Sequence, residues 1–225
     1  MTRADRPRVS LHFAQSLDGR IALTGTRTPL SSRAGFELAH RARTEHDAVL
    51  VGRATVWVDD PRLAVHCAVN STSAHQPRRI VLASTLDIPP GARLLRGGPG
   101  TLVIGVAGRA PVEARERLEA AGAEVRLVPA GDDGLVSLPD ALAAIRVWGV
   151  ERLLVEGGAC VLSALLRQRL ADEATIEIVP RLLGSGGVAA IGEIGVTSIE
   201  QAVVLQDARV ERAEDSIVVR GRLAY

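Results

Sequence analysis

The sequence predicts an α/β fold with a mostly parallel central sheet and antiparallel strands at its C-terminal end. Three features carry that expectation. Short continuous apolar runs recur along the chain, as strands buried on both faces require. Segments with apolar residues at helical spacing lie between them, which is the pattern of βαβ units. The tail, 201–225, instead holds two strand-like stretches (AVVLQDARVE and SIVVRGRLA) with no helix between them, as an antiparallel pair would.

Residues 9–14 alternate into a first strand, and Ser16-Leu17-Asp18-Gly19 follows as a turn. Over 33–46 the small or apolar Ala34, Leu38 and Ala42 recur at helical spacing. DAVLVG, 47–52, is an apolar run closed by glycine, and the same device returns at 79–83, 101–106, 123–128 and 152–156. Helices are expected over 112–121, over 138–148 behind Ser137 or Pro139, and over 159–170. A strand at 175–179 precedes the tail. The Gly/Pro-rich stretch 89–100 reads as a surface loop, and no internal repeat appears. The 225 residues are therefore expected to form a single domain, with 1–7 as a flexible lead.

Composition removes several functions. A hydrophobic fraction of 47% and a charged fraction of 24% suit a globular core. A net charge of +1 gives no electrostatic case for nucleic acid or an anionic membrane, and 2% aromatics leave little for base stacking. None of the 27 basic residues is lysine, which excludes Schiff-base and P-loop chemistry. Cys67 and Cys160 lie far apart, no CxxC or HExxH spacing occurs, and no metal or disulfide framework is expected. His40 and His46, on the first helix, read as surface or capping residues. The N-terminus is short and polar and no stretch reaches membrane-span length, so a cytoplasmic protein is expected.

In an open parallel sheet, ligands bind beyond the carboxyl ends of the strands. Three such ends hold distinctive residues: 14–19, 51–63 and 155–160. In the last, a strand ends in Glu156 and the pair Gly157-Gly158 opens a helix. Glycine lets a ligand approach the backbone, and the free N–H groups of a first helical turn favour an anion. A carboxylate there can accept from heterocycle N–H donors. The same residues also suit a plain βα turn in which Glu156 caps the helix. In the middle segment Thr55 and Asp59 share one face if the segment is helical, although Asp59-Asp60-Pro61 also suits a helix end with a proline stop.

Taken together and in order, SLDGRIA, HDAVLVGRATVWVDDPRL, LLVEGGACVLSALL and IVPRLLGSGG resemble the reductase domain of bacterial riboflavin deaminase-reductases and the stand-alone pyrimidine reductases similar to it. The resemblance runs from about Pro7 to the C-terminus. It implies a dihydrofolate-reductase-like α/β/α fold of three layers, NADPH as cofactor, a homodimer, and reduction of the ribosyl group of a 5-amino-6-(5-phosphoribosylamino)pyrimidine to a ribitylamino product. By the same resemblance Ala14, Thr55, Asp59, Ser84, Gly158, Ala159, Cys160, Val161, Leu162, Ser163 and Ala164 face NADPH. Asp59 is the candidate catalytic group, and Arg43, Leu63, His66 and Glu156 face the substrate. The zinc deaminase half of the bifunctional enzymes, with its HxE and PCxxC motifs, is absent from this sequence. Three positions depart from the family pattern: His12 where a lysine is frequent, Arg27-Thr28-Pro29-Leu30 where a tryptophan is usual, and His66 in place of an arginine. Two rival readings stand beside this one, a dihydrofolate or pterin reductase on the same fold and a non-catalytic NADPH-binding module.

Overall fold

A computed structural model describes residues 5–65 and 75–225. The chain runs β1 (Arg8–Ser16), β2 (Arg20–Leu23), α1 (Arg33–Thr44), β3 (Ala48–Gly52), α2 (Arg53–Asp59), β4 (Arg78–Leu82), β5 (Thr101–Val106), α3 (Val112–Ala120), β6 (Glu124–Val128) and α4 (Leu138–Val147). It continues with β7 (Arg152–Gly157), α5 (Ala159–Arg167), β8 (Glu173–Val179), β9 (Gly187–Ala189), β10 (Val204–Ala213) and β11 (Ser216–Ala224).

One nine-stranded sheet is ordered β10-β11-β8-β1-β7-β3-β4-β5-β6. Every pairing from β8 to β6 is parallel, while β11 runs antiparallel to both β8 and β10. The mostly parallel sheet with an antiparallel C-terminal pair is thus the one expected. β2 and β9, which pair with each other in a separate small sheet, are not expected from the sequence. They are short and only partly buried, so no apolar run marks them.

Alternating residues of the central strands supply two cores. Val49, Val51, Val81 and Val103 pack with Val56 of α2 and with Ala114 and Leu118 of α3. Leu50, Ile80, Leu102 and Ile104 face the other way, against Leu142 and Ile145 of α4 and Leu162 and Leu165 of α5. Helices therefore cover both faces in an α/β/α arrangement. Each fully buried leucine or isoleucine contributes about 1.5–3 kcal/mol.

Polar contacts seat α1 on the sheet. Ser32 caps the helix, its Oγ accepting from the Gly35 N–H at 3.0 Å. The same hydroxyl and the Ser32 N–H both donate to Oε1 of the buried Glu177 on β8, at 2.8 and 2.9 Å. Gly35 lies directly on that carboxylate, where a Cβ would come 2.0 Å from Oε2. α1 ends at Thr44, short of 46. The His46 Nδ1–H donates to the Ala42 carbonyl at 2.7 Å, satisfying one of the free acceptors at the helix end.

The surface reading of the two histidines is corrected. His40 and His46 are both buried, His40 with its ring centroid 4.3 Å from that of Phe36. α5 stops at Arg167, three residues before the expected 170, because Arg169 turns into the left-handed region (φ 55°) and the Leu170 N–H donates back to the Leu165 carbonyl. Of the lead 1–7, residues 1–4 lie outside the described residues, while Arg6 forks onto Asp172 at 2.6 and 2.8 Å.

Candidate functional site

Because β1, β7, β3 and β4 are parallel neighbours, their carboxyl ends form one edge. That edge brings together Ala14, Glu156, the Gly157-Gly158 pair, the start of α2 and Ser84 just past β4. Gly157 adopts φ +117°, a conformation side-chain-bearing residues avoid. A Cβ on Gly158 would sit 3.2 Å from the Thr55 hydroxyl, and one on Gly52 would meet Val161 at 2.9 Å. The β3–α2 and β7–α5 junctions are therefore packed side by side, with bare backbone where they meet. Among the described residues no side chain caps α5, so its first turn and the positive end of its dipole are open to an anion. The reading of Glu156 as a cap of this helix is not what occurs.

The residues expected along α5 divide. Gly158, Ala159 and Val161 are half-buried and Cys160 is exposed, so the first turn is accessible. Leu162 is in the core, and Ser163 is buried, its Oγ donating to the Ala159 carbonyl and accepting from the Gly192 N–H at 2.8 Å. Ala164 packs against the core from one turn deeper in the helix.

Segment 53–59 is helical, so Thr55 and Asp59 do share a face. Trp57 Nε1–H donates to the Asp87 carbonyl at 2.9 Å and Arg53 pairs with the Asp87 carboxylate, fixing α2 to the loop after β4. Burial raises the Asp59 carboxyl above its ordinary range, against the opposing charge of Arg27. The chain leaves α2 through two left-handed residues, Asp60 (φ 40°) and Leu63 (φ 50°). Asp60 is held by accepting from the Arg93 N–H at 2.8 Å, and Leu63 is buried in the core beside α2 and α3.

Glu156 and Arg43, expected to face one ligand, contact each other. Arg43 donates from Nε and Nη2 to the two oxygens of Glu156, both at 2.7 Å, and from Nη1 to the Ala64 carbonyl at 2.9 Å. The side chains are only 15% and 13% exposed. Burial alone would raise the Glu156 carboxyl, but the charge and hydrogen bonds of Arg43 outweigh it and hold the group below its ordinary value. The guanidinium is raised in turn, since Glu156 more than offsets the cost of its burial. One fork thus ties α1, the β7 end and the chain after α2 into a single wall. His12 lies near this pair, and burial pushes its imidazole down against the pull of Glu156. His66 lies outside the described residues.

One contact of this edge is not foreshadowed by any spacing. Asp18 of the SLDG turn accepts from the Ser16 hydroxyl at 2.5 Å and from the N–H groups of Leu183 and Gly184 at 3.0 and 2.6 Å. The Ser16 bond, then the Leu183 bond, lower its carboxyl to about 2. SLDG and RLLGSGG each stand out in the sequence as motifs, but nothing in either says that one binds the other.

Comparison with known proteins agrees with this outline. The RibD C-terminal domain family matches residues 7–219. A 2,5-diamino-6-ribosylamino-4(3H)-pyrimidinone 5′-phosphate reductase of Methanothermobacter thermautotrophicus is 33% identical over 220 residues, covering 95% of this chain and 97% of that protein. The riboflavin biosynthesis protein RibD of Aquifex aeolicus is 31% identical over 216 residues, covering 96% of this chain but 57% of that protein. Among solved structures, RibD of Acinetobacter baumannii superposes with a TM-score of 0.85 at 25% identity, covering 98% of this chain and 59% of that one. The chain thus spans a little over half of these RibD proteins and nearly the whole of the archaeal reductase.

Proposed function

The chain belongs to the RibD C-terminal domain family, and we propose on that premise that it is an NADPH-dependent reductase of a 5-amino-6-(5-phosphoribosylamino)pyrimidine, yielding the ribitylamino product. The observation that carries the reading is the β7–α5 junction. There a strand-end carboxylate is followed by two glycines and an uncapped helix, with room at Gly158 for a ligand's backbone approach and none for a side chain.

These residues fit a dinucleotide. Gly158, Ala159, Cys160 and Val161 at the first turn of α5, with Thr55, would hold the pyrophosphate, and Ala14, Asp59 and Ser84 would hold the nicotinamide end. When bound, NADPH supplies the hydride for C1′ of the sugar. The protein's part is orientation. A ribosylamine opens to an imine as its nitrogen gives up a proton and the departing ring oxygen takes one up; the imine then accepts hydride at C1′ and a proton at nitrogen, a net uptake of one hydride and one proton. Asp59, its carboxyl raised by burial, would be the group that holds or moves a proton.

Glu156 and Arg43 present a pre-formed charged fork to the pyrimidine and its phosphate-bearing sugar. Both carboxylate oxygens already accept from Arg43, so pyrimidine N–H groups share those lone pairs rather than find them empty. We read the unit as a single reductase domain that works as a homodimer in the cytoplasm. Among the described residues, no helix is long and apolar enough to cross a membrane. The test is NADPH oxidation with the deaminated and non-deaminated phosphoribosylamino-pyrimidines, dihydrofolate serving as control. Turnover of either pyrimidine supports the reading, and turnover of dihydrofolate alone contradicts it.

A further inference from the structure

A cleft of about 530 Å³ lies between α1 and the β10–β11 pair. It is reached from the opposite end of the sheet to Gly158, since β7 and β8 contribute their first residues, Arg152, Leu154 and Glu173, to its lining. Its volume is within the range of small-molecule sites.

Sheet register explains its chemistry. His12 pairs with Thr175, Thr175 with Arg220, and Arg220 with Arg209, so one row of donors crosses four strands on the face toward α1. At the usual strand spacing this row is roughly 14 Å long. Arg220 and Arg209 stand directly opposite each other, an arrangement of like charges that destabilises a strand pair unless something neutralises it. Among the described residues Arg220 bonds Glu211 at 3.0 Å, and its buried Nε has no hydrogen bond there. Arg209, Arg152 and Arg41 line the same cleft and form no ion pair among the described residues. Of the cleft's acidic groups, Glu173 is paired with Arg8 and Asp207 with Arg222, which leaves Glu45. At the inner end of the row His12 is 7% exposed, and its Nδ1 has no hydrogen-bond partner. Leu38, Ala42 and Leu154 give the cleft an apolar side.

We propose that this cleft is a second binding site, for a small organic phosphate, entered from the end of the strands opposite the cofactor edge, with its inner end at His12, near the Arg43–Glu156 pair. The phosphate lies between Arg209 and Arg220, where planar guanidinium forks suit its oxygens, and the organic part reaches along the row toward His12 against the apolar side. The site rests on the cleft's own geometry and stands whether or not the reductase reading does.

The test is isothermal titration of the full chain with uridine 5′-monophosphate, with uridine and inorganic phosphate as separate probes. It is run on wild type, Arg209→Glu and Arg117→Glu, the last an exposed arginine of α3 that changes net charge equally outside the cleft. Wild type and Arg117→Glu are expected to bind the monophosphate with matching affinity, uridine is expected to bind at least tenfold more weakly, and Arg209→Glu is expected to lose at least tenfold. NADPH affinity is expected to be unchanged in both variants, which separates this site from the cofactor edge. Equal binding of the monophosphate by wild type and Arg209→Glu, equal losses in both variants, or no binding by wild type would each overturn the proposal.

Discussion

Replacing Glu156 by glutamine keeps the side chain's shape and removes its charge, and it sets one amide N–H₂ against a guanidinium that has only donors to offer. In wild type both carboxylate oxygens accept from Arg43 at 2.7 Å, with the two side chains 13% and 15% exposed. Breaking a buried ion pair on one side costs about 3–5 kcal/mol, because the surviving charge is left uncompensated. Here Arg43 keeps its bond to the Ala64 carbonyl and a small share of solvent, so the lower end, about 3 kcal/mol, applies. For a chain of this size that corresponds to a fall in Tm of about 6–12 °C. The carboxyl is held below its ordinary 4.5 in the folded protein. Its contribution is therefore fully present above that value and is lost as pH falls through the lower folded value. The gap in Tm between wild type and Glu156→Gln should accordingly be constant near neutrality and narrow below pH 4.5. Thermal unfolding followed by circular dichroism from about pH 7 to about pH 4 measures it, and Arg43→Met with the double variant closes the cycle. The double loss should fall short of the sum of the single losses, by about 0.5–3 kcal/mol for groups in direct contact. Strictly additive losses, or a Glu156→Gln protein as stable as wild type, would refute the role given to the fork.

Other substitutions test other parts of the structure. Gly158→Val puts a branched side chain where even a Cβ is 3.2 Å from the Thr55 hydroxyl, so NADPH affinity, read by cofactor fluorescence, should fall at least tenfold while the far-ultraviolet spectrum is retained. Arg6→Met removes the fork onto the buried Asp172 carboxylate, which also accepts from the Val9 N–H at 2.8 Å, and chemical denaturation should show a loss of about 1.5–3 kcal/mol, as for a hydrogen bond to a charged group. Asp18→Asn should lower stability near neutrality, with the difference from wild type closing in acid: the wild-type carboxyl titrates at about 2, so the stabilisation it gives is present above about pH 4 and lost toward pH 2. A variant whose acid unfolding profile overlays that of wild type would show that Asp18 does not hold the 183–184 loop.

The parallel sheet is legible in the sequence because its strands are buried on both faces and therefore read as unbroken apolar runs, as in Ala48–Gly52, buried at every position. The β7–α5 junction is legible for a local reason, since the strand end, the glycines and the helix start are adjacent in sequence. What escapes is non-local. The Arg43–Glu156 fork joins residues 113 positions apart, and Asp18 reaches 165 positions to Leu183. Arg43, Glu156 and Asp18 are polar, and neither spacing encodes the partner. His40 and His46 read as surface or capping residues; His46 does cap the end of α1, but both are buried, because helical periodicity marks a face but not what covers it. α1 lies on polar strand residues, so its buried side accepts histidines, with Ser10 bonded to His46 Nε2 at 2.9 Å. α5 is drawn too long because its apolar spacing continues past the point where Arg169 reverses the chain.

Hydride tracing tests the central claim most directly. NADPH carrying deuterium at the transferable C4 position is turned over with the phosphoribosylamino-pyrimidine, and the product is examined by proton NMR and mass spectrometry. The account predicts one deuterium at C1′ of a newly opened ribityl chain, and a sharp loss of that transfer in Asp59→Asn with NADPH affinity retained. Deuterium delivered to dihydrofolate but not to the sugar, or cofactor binding without transfer to any pyrimidine, would contradict it.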